Sequence, residues 1–332
     1  MENREYYESI KTERAARAVI AAIAPPGDFT TPYVLAGAGS GLAALRLAVN
    51  NERIEGLGAP RAHLWRRRFD VADTDQIRAN LDRSLELGQR VLIPGDADWP
   101  AALDVMSLSA PAALWAQGNT SLLSDPLSSR AAIIGSDTPS QYAAHVADEL
   151  AGWISADGRT VVTQPQRGIA AMAASSALHE SSQVITVVPY GLDYDGPDRE
   201  FPHSRVASVG LLVSERPPGS RPYRVASMSS RNLIAALSGA TTVVESPSQS
   251  EWMQIASIAR DYGRKVGAVP GRITDESSRG SNILLRDAGA HLVTDGSDIA
   301  DLLDGNTFRL DLHTLMQGSP TRQTAQATGL SR

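Results

Sequence analysis

The chain has 332 residues, 42% of them hydrophobic and 20% charged, with a formal net charge of −6. That composition fits a globular protein with one large domain and a smaller appendage, and excludes a disordered or fibrous chain. Without cysteine there is no disulfide, thiolate metal site or cysteine nucleophile, and the six scattered histidines form no pair at metal-ligand spacing.

The start, MENREYYESIKTERAAR, is polar, and no apolar run reaches the roughly 18 residues of a membrane span. A cytoplasmic protein off the membrane is expected. Residues 1–88 read as a helical N-terminal module. KTERAARAVIAAIA repeats apolar residues at helical spacing and stops at Pro25-Pro26-Gly27. GLAALRLAV is a second helix, and TDQIRANLDRSLELG a third, with Asp73 or Thr74 as its N-cap. Gly37-Ala38-Gly39-Ser40-Gly41 departs from a dinucleotide fingerprint at Leu42, so it reads as a helix–helix turn and no cofactor is expected.

From residue 89 to 304 the texture changes. Nine short apolar or β-branched runs recur: RVLIP, AALWA, AAIIGS, TVVT, QVITVV, GLLVSE, TTVVES, KVGAVP and HLVT. Helical segments such as SQYAAHVADELAGWISADG, GIAAMAASSALHE and EWMQIASIARDYG lie between them. Strands apolar on both faces, alternating with helices, predict an α/β fold: a Rossmann-like doubly wound, mainly parallel sheet covered on both faces. Residues 305–332 are polar and are expected to form a flexible tail.

Ligands of such a sheet bind beyond the carboxyl ends of its strands, where helix N-termini present backbone N–H groups. The strand-to-helix turns then select Gly135 and Ser136, Arg167 and Gly168, Pro189 to Asp193, Arg231 and Asn232, and Gly280, Ser281 and Asn282. Small residues, hydroxyls and arginines at these places suit a phosphate. Arg167 and Arg231 are the foremost phosphate ligands in this reading, each placed at a helix N-terminus. Charge adds to it. Residues 1–90 carry a net +1 and the rest −7, yet between Glu215 and Glu245 there is no acid, while Arg216, Arg221, Arg224 and Arg231 all occur. A local basic stretch in an acidic domain suits gripping one strand rather than coating a duplex. Trp252 and Tyr190 are aromatic side chains for base stacking or for the core. There are no paired carboxylates, nucleophile elbow or Walker loop, so an enzyme is not expected.

Four stretches carry a family resemblance: LIPGDADWPAALDVMSLSAPAALWAQGN (92–119), LLVSERPPGSRP (211–222), SSRNLIAALSGATTVVES (229–246) and GRKVGAVPGRITDESSRGSNILLRDAGAHLV (263–293). In order and spacing the chain resembles the DNA-processing protein A (DprA/Smf) family, and its N-terminal helices are similar to that family's helical module. The winged helix at the C-terminus of many members has no room in the 28 residues after Asp304. The resemblance implies a homodimeric recombination mediator that holds single-stranded DNA and loads a RecA-type recombinase, in DNA uptake or recombination. The chain departs from the family pattern in the loops: Asp137 replaces an arginine, Ala170 an aspartate, Ala174 a histidine, Met228-Ser229 an aromatic-Pro pair, Leu233 an arginine, and Glu251 a glycine. The Asp137 and Glu251 changes favour an alternative, a nucleotide-ligand sensor or scaffold that has lost DNA binding.

Overall fold

The computed structural model describes residues 2–305, apart from Pro26, Ser182, Asp195, Pro197 and Tyr223. Six helices form the N-terminal module: α1 (Glu2–Ser9), α2 (Glu13–Ile23), α3 (Thr30–Ala38), α4 (Gly41–Val49), α5 (Ala59–Asp70) and α6 (Thr74–Glu86). The glycine-rich segment is the helix–helix turn expected. Gly39 closes α3 in the left-handed region (φ 73°), and the Ser40 hydroxyl caps α4. Asp73 caps α6 by accepting the Gln76 N–H.

The nine apolar runs are nine strands: β1 (Arg90–Leu92), β2 (Leu114–Gly118), β3 (Arg130–Ile134), β4 (Thr160–Thr163), β5 (Val184–Val187), β6 (Leu211–Ser214), β7 (Ala240–Val243), β8 (Lys265–Ala268) and β9 (His291–Leu292). They form one sheet in the order β1-β2-β6-β5-β4-β3-β7-β8-β9. The seven strands from β6 to β9 are parallel, while β2 and β1 join antiparallel beside β6. The expected doubly wound sheet is therefore present.

The helices of this part are α7 (Gln141–Ala156), α8 (Ile169–Glu180), α9 (His203–Val209), α10 (Arg224–Leu237), α11 (Glu251–Asp261), α12 (Arg279–Asp287) and α13 (Gly296–Asp304). Strands β3, β4, β5, β6 and β7 are fully buried, as a sheet covered on both faces requires. One apolar cluster joins α7, α8 and α13 to the helical module through Trp115, Ile93 and Ala113; the other packs α10, α11 and α12 on the opposite side. Trp252 and Tyr190 are both buried in these clusters rather than presented for stacking. Apart from Gly305, which ends α13, the expected tail lies outside the described residues.

Candidate nucleic-acid interface

Strand order reverses between β3 and β7, because β3 continues to β4 on one side while β7 lies on the other. At such a switch point the outgoing chains diverge and open a crevice beyond the carboxyl ends. Here backbone contacts stitch the crevice floor together. The Ser136 N–H donates to the Glu245 carbonyl at 2.8 Å, Ile169 to Ser136 at 3.0 Å, and Gly280 to Ser246 at 2.7 Å. Gly168 sits at φ 70°, and a β-carbon there would collide with the Ser136 carbonyl; one at Gly280 would collide with Pro247 and Ser246. Gly135 lies close against the Glu245 backbone in the same way. These glycines are present because four turns touch main chain to main chain.

The helix N-termini on this edge are not equivalent. That of α7 is occupied from within: the Ser140 N–H and hydroxyl donate to the two Glu245 carboxylate oxygens at 3.0 and 2.7 Å, and Glu245 is only 3% exposed. Helix α11 is capped by the Ser250 hydroxyl. Helix α8 begins at the buried Gly168 with no side-chain cap; its Ile169 N–H is taken by the Ser136 carbonyl, and Ile169 and Ala170 are fully buried, so its dipole rather than an open row of N–H groups is what it offers an anion. Beside it Arg167 is exposed and forms no ion pair among the described residues; its backbone N–H donates to the Asp198 carboxylate at 2.5 Å.

The remaining sequence-predicted residues fall in several places. Arg231 is not at a helix N-terminus: α10 starts at Arg224, two turns earlier, because the Ser-Met-Ser-Ser segment is helical rather than a turn. Its guanidinium is paired with Glu251 at 2.8 Å and with Gln254 at 2.5 Å, and its Nε is buried without a partner among the described residues. Gln166 from the β4 turn donates to the other Glu251 oxygen at 3.2 Å, so Glu251 ties that turn to α10. Arg221 is exposed, with its guanidinium 4.8 Å from the centre of the Tyr194 ring. Arg216 turns to the helical module and donates to the Ala24 carbonyl at 3.0 Å. The basic stretch is thus dispersed over three surroundings rather than gathered in one patch. The Arg224 side chain lies outside the described residues.

Ser136 is buried, its hydroxyl accepting the Thr138 N–H at 3.2 Å. Asn282 is used structurally, bonded to both the N–H and the carbonyl of Gly271 at 3.2 Å. Ser281 is fully buried, and its hydroxyl has no partner among the described residues. Asn232 faces the seam with the helical module instead of the crevice. Of the departures, Asp137 is exposed on the β3 turn, whereas Ala170 and Ala174 are buried in the core. Sequence reasoning missed the Glu245 cap, whose only signal is an acid at the end of a buried strand.

The family model described as DNA recombination-mediator protein A matches residues 90–304. The DNA processing protein DprA of Mycobacterium tuberculosis is 34% identical over 268 residues, covering 77% of this chain and 65% of its own length. That of Streptococcus pneumoniae is 29% identical over 57% of this chain and 66% of its own. The chain thus spans about two thirds of the length of these relatives. The solved S. pneumoniae protein shares the fold, with a TM-score of 0.70 at 22% identity over 87% of this chain and 97% of the other. A Helicobacter pylori DNA processing protein A, solved for its single-stranded-DNA binding mode, gives 0.59 at 25% identity over 66% and 96%. With the family match covering the whole sheet domain, this chain belongs to the DNA-processing protein A family.

Proposed function

We propose that this protein is a recombination mediator that holds single-stranded DNA along the carboxyl edge of its sheet and loads a RecA-type recombinase, acting as a homodimer in the cytoplasm. The observation that carries the reading is the N-terminus of α8, without a side-chain cap, with Arg167 beside it, exposed and making no ion pair among the described residues. An exposed guanidinium beside the positive end of a helix dipole suits a phosphate, and the exposed Arg221 adds a second cation on the same edge. The protein works by holding a strand rather than by covalent chemistry. Family membership supports the assignment, as does the H. pylori relative, which binds single-stranded DNA. No helix among the described residues is by itself long and apolar enough to cross a membrane.

The pairing of Glu251 with Arg231 favours a second reading, a nucleotide sensor or scaffold on the same fold. Titrating a labelled single strand at two salt concentrations separates the two. A DNA holder binds with steeply salt-dependent affinity and prefers the single strand to duplex. A sensor leaves the strand unbound and gains thermal stability from one small nucleotide.

A further inference from the structure

The helical module and the sheet domain enclose between them a cavity of about 90 Å³, open to solvent. That is several times the space one water needs. Its walls come from separate parts of the chain: Pro25 and Phe29 from the module, Pro111 from the segment before β2, Glu215 from the end of β6, and Ser229 and Asn232 from α10. Alanines 21, 24, 110 and 112 leave the space, and the prolines fix the backbone around it. The Arg216 link to the Ala24 carbonyl holds the two sides of the seam together.

Its polar equipment is concentrated on one side. The Asn232 amide, half-buried on α10, makes no hydrogen bond among the described residues. Next to it the Glu215 carboxyl takes one hydrogen bond, from the Ser229 hydroxyl, and has a second oxygen to offer. An amide presents a donor and an acceptor side by side, the pattern that meets the edge of a nucleobase. Opposite, Phe29 is 65% exposed at the rim, an aromatic side chain that suits stacking. The cavity opens at the carboxyl end of β6, two strands from the Arg167 turn after β4, on the edge assigned to the phosphates.

The geometry points to a nucleobase pocket at the seam, in which Phe29 stacks on one base of the bound strand while Asn232 and Glu215 meet its polar edge. This rests on the single-strand reading above and extends it, because it makes the helical module part of the binding surface. Affinity would then depend on bases and not only on phosphates.

The test compares oligothymidylate with an abasic strand of the same length, using the full chain and the variants Phe29→Ala and Asn232→Leu. The unmodified protein should prefer the base-bearing strand on the order of tenfold. Each variant should lose most of that preference while binding the abasic strand as before. Phe29 is exposed, so its variant keeps the fold even if Asn232→Leu does not; melting temperatures check both. If the preference persists in both variants, the pocket holds ordered water only and the proposal is overturned. If the unmodified protein binds neither strand, the mediator reading fails, and the pocket with it.

Discussion

Glu251 and Arg231 face each other between α11 and α10 with Oε2 and Nη2 2.8 Å apart, while the other Glu251 oxygen accepts from Gln166 on the β4 turn. The carboxylate therefore occupies, for this arginine, the role of a phosphate. A strand that is to use Arg231 must first displace it. Glu251→Gln should accordingly tighten single-stranded DNA binding by about 1–2 kcal/mol. It should also lower the melting temperature by a few degrees, because Arg231 is only 14% exposed and loses its counter-charge. Anisotropy titrations together with thermal melts check both effects; tighter binding without a stability cost would show that the pair is not closed in solution.

Arg167 lacks such a partner, and its substitution should separate binding from stability. Arg167→Ala should weaken binding by about 1–2 kcal/mol and shallow the salt slope by roughly one unit, leaving the melting temperature nearly unchanged. A fall in melting temperature with an unaltered slope would mark Arg167 as structural. Arg231→Ala should do the reverse at first order, costing stability because it abandons Glu251.

Two carboxylates on opposite walls of the seam should respond to pH with opposite sign. Burial would raise Asp28, but the Arg68 guanidinium, the Thr31 hydroxyl and the Thr30 N–H outweigh it and hold the carboxyl below its usual range. A depressed carboxyl contributes stability above its unfolded pKa of about 4, lost as pH falls through the folded value. Asp28→Asn should thus lower the melting temperature at neutral pH and converge on the parent in acid. Burial raises Glu215, with Ser229 and Arg216 opposing it only in part. Its contribution is present below the usual carboxylate range and is lost as pH rises through the raised value. Glu215→Gln should therefore stabilise the protein at neutral pH and make no difference in acid. Melting curves from about pH 2 to pH 8 read both.

The sheet was legible because its strands are buried on both faces, so each reads as an unbroken apolar run such as AAIIGS or TVVT. Capping by Asp73 was legible for a local reason, since it acts within three residues. Helices α1, α3 and α5 were not. α1 is largely charged, and α3 and α5 carry Pro32 and Pro60, which look like breaks although a first-turn proline is compatible with a helix. The start of α10 was misplaced because Ser-Met-Ser-Ser has turn composition while tertiary packing makes it helical. Glu251 was visible as a departure, but its contact with Arg231 spans 20 residues and depends on how α10 meets α11. The seam cavity has no local signature at all.

The sheet domain should fold without the module. Residues 89–304 contain every strand, and a sheet of nine strands flanked by seven helices has ample core. Removing the module exposes Trp115 and Ala113, where the two share an apolar cluster, and breaks the Arg14–Asp96 pair at 2.5 Å. The fragment should therefore melt cooperatively but at a lower temperature than the full chain. Calorimetry and near-ultraviolet circular dichroism decide; a broad, non-cooperative transition would show that the module is part of one folding unit.

Asp137 offers the sharpest probe of whether the crevice still takes phosphate. It is exposed on the β3 turn, directly against Gly168, whose helix has the uncapped N-terminus. A carboxylate there repels an approaching phosphate across the water-exposed edge, while an arginine would bring a second bidentate donor beside Arg167. Because Asp137 is solvated and makes no ion pair among the described residues, replacing it should leave the melting temperature within about 1 °C of the parent. Asp137→Arg should tighten single-stranded DNA binding by about 1–3 kcal/mol and steepen the salt slope by roughly one unit, since a repulsion disappears and a further phosphate is neutralised. Asp137→Asn should recover only the part due to lost repulsion, giving an intermediate affinity with nearly the parental slope. The order parent, asparagine, arginine is the signature of a phosphate at this turn. Equal binding by all three would place the strand elsewhere and remove the α8 N-terminus from the interface.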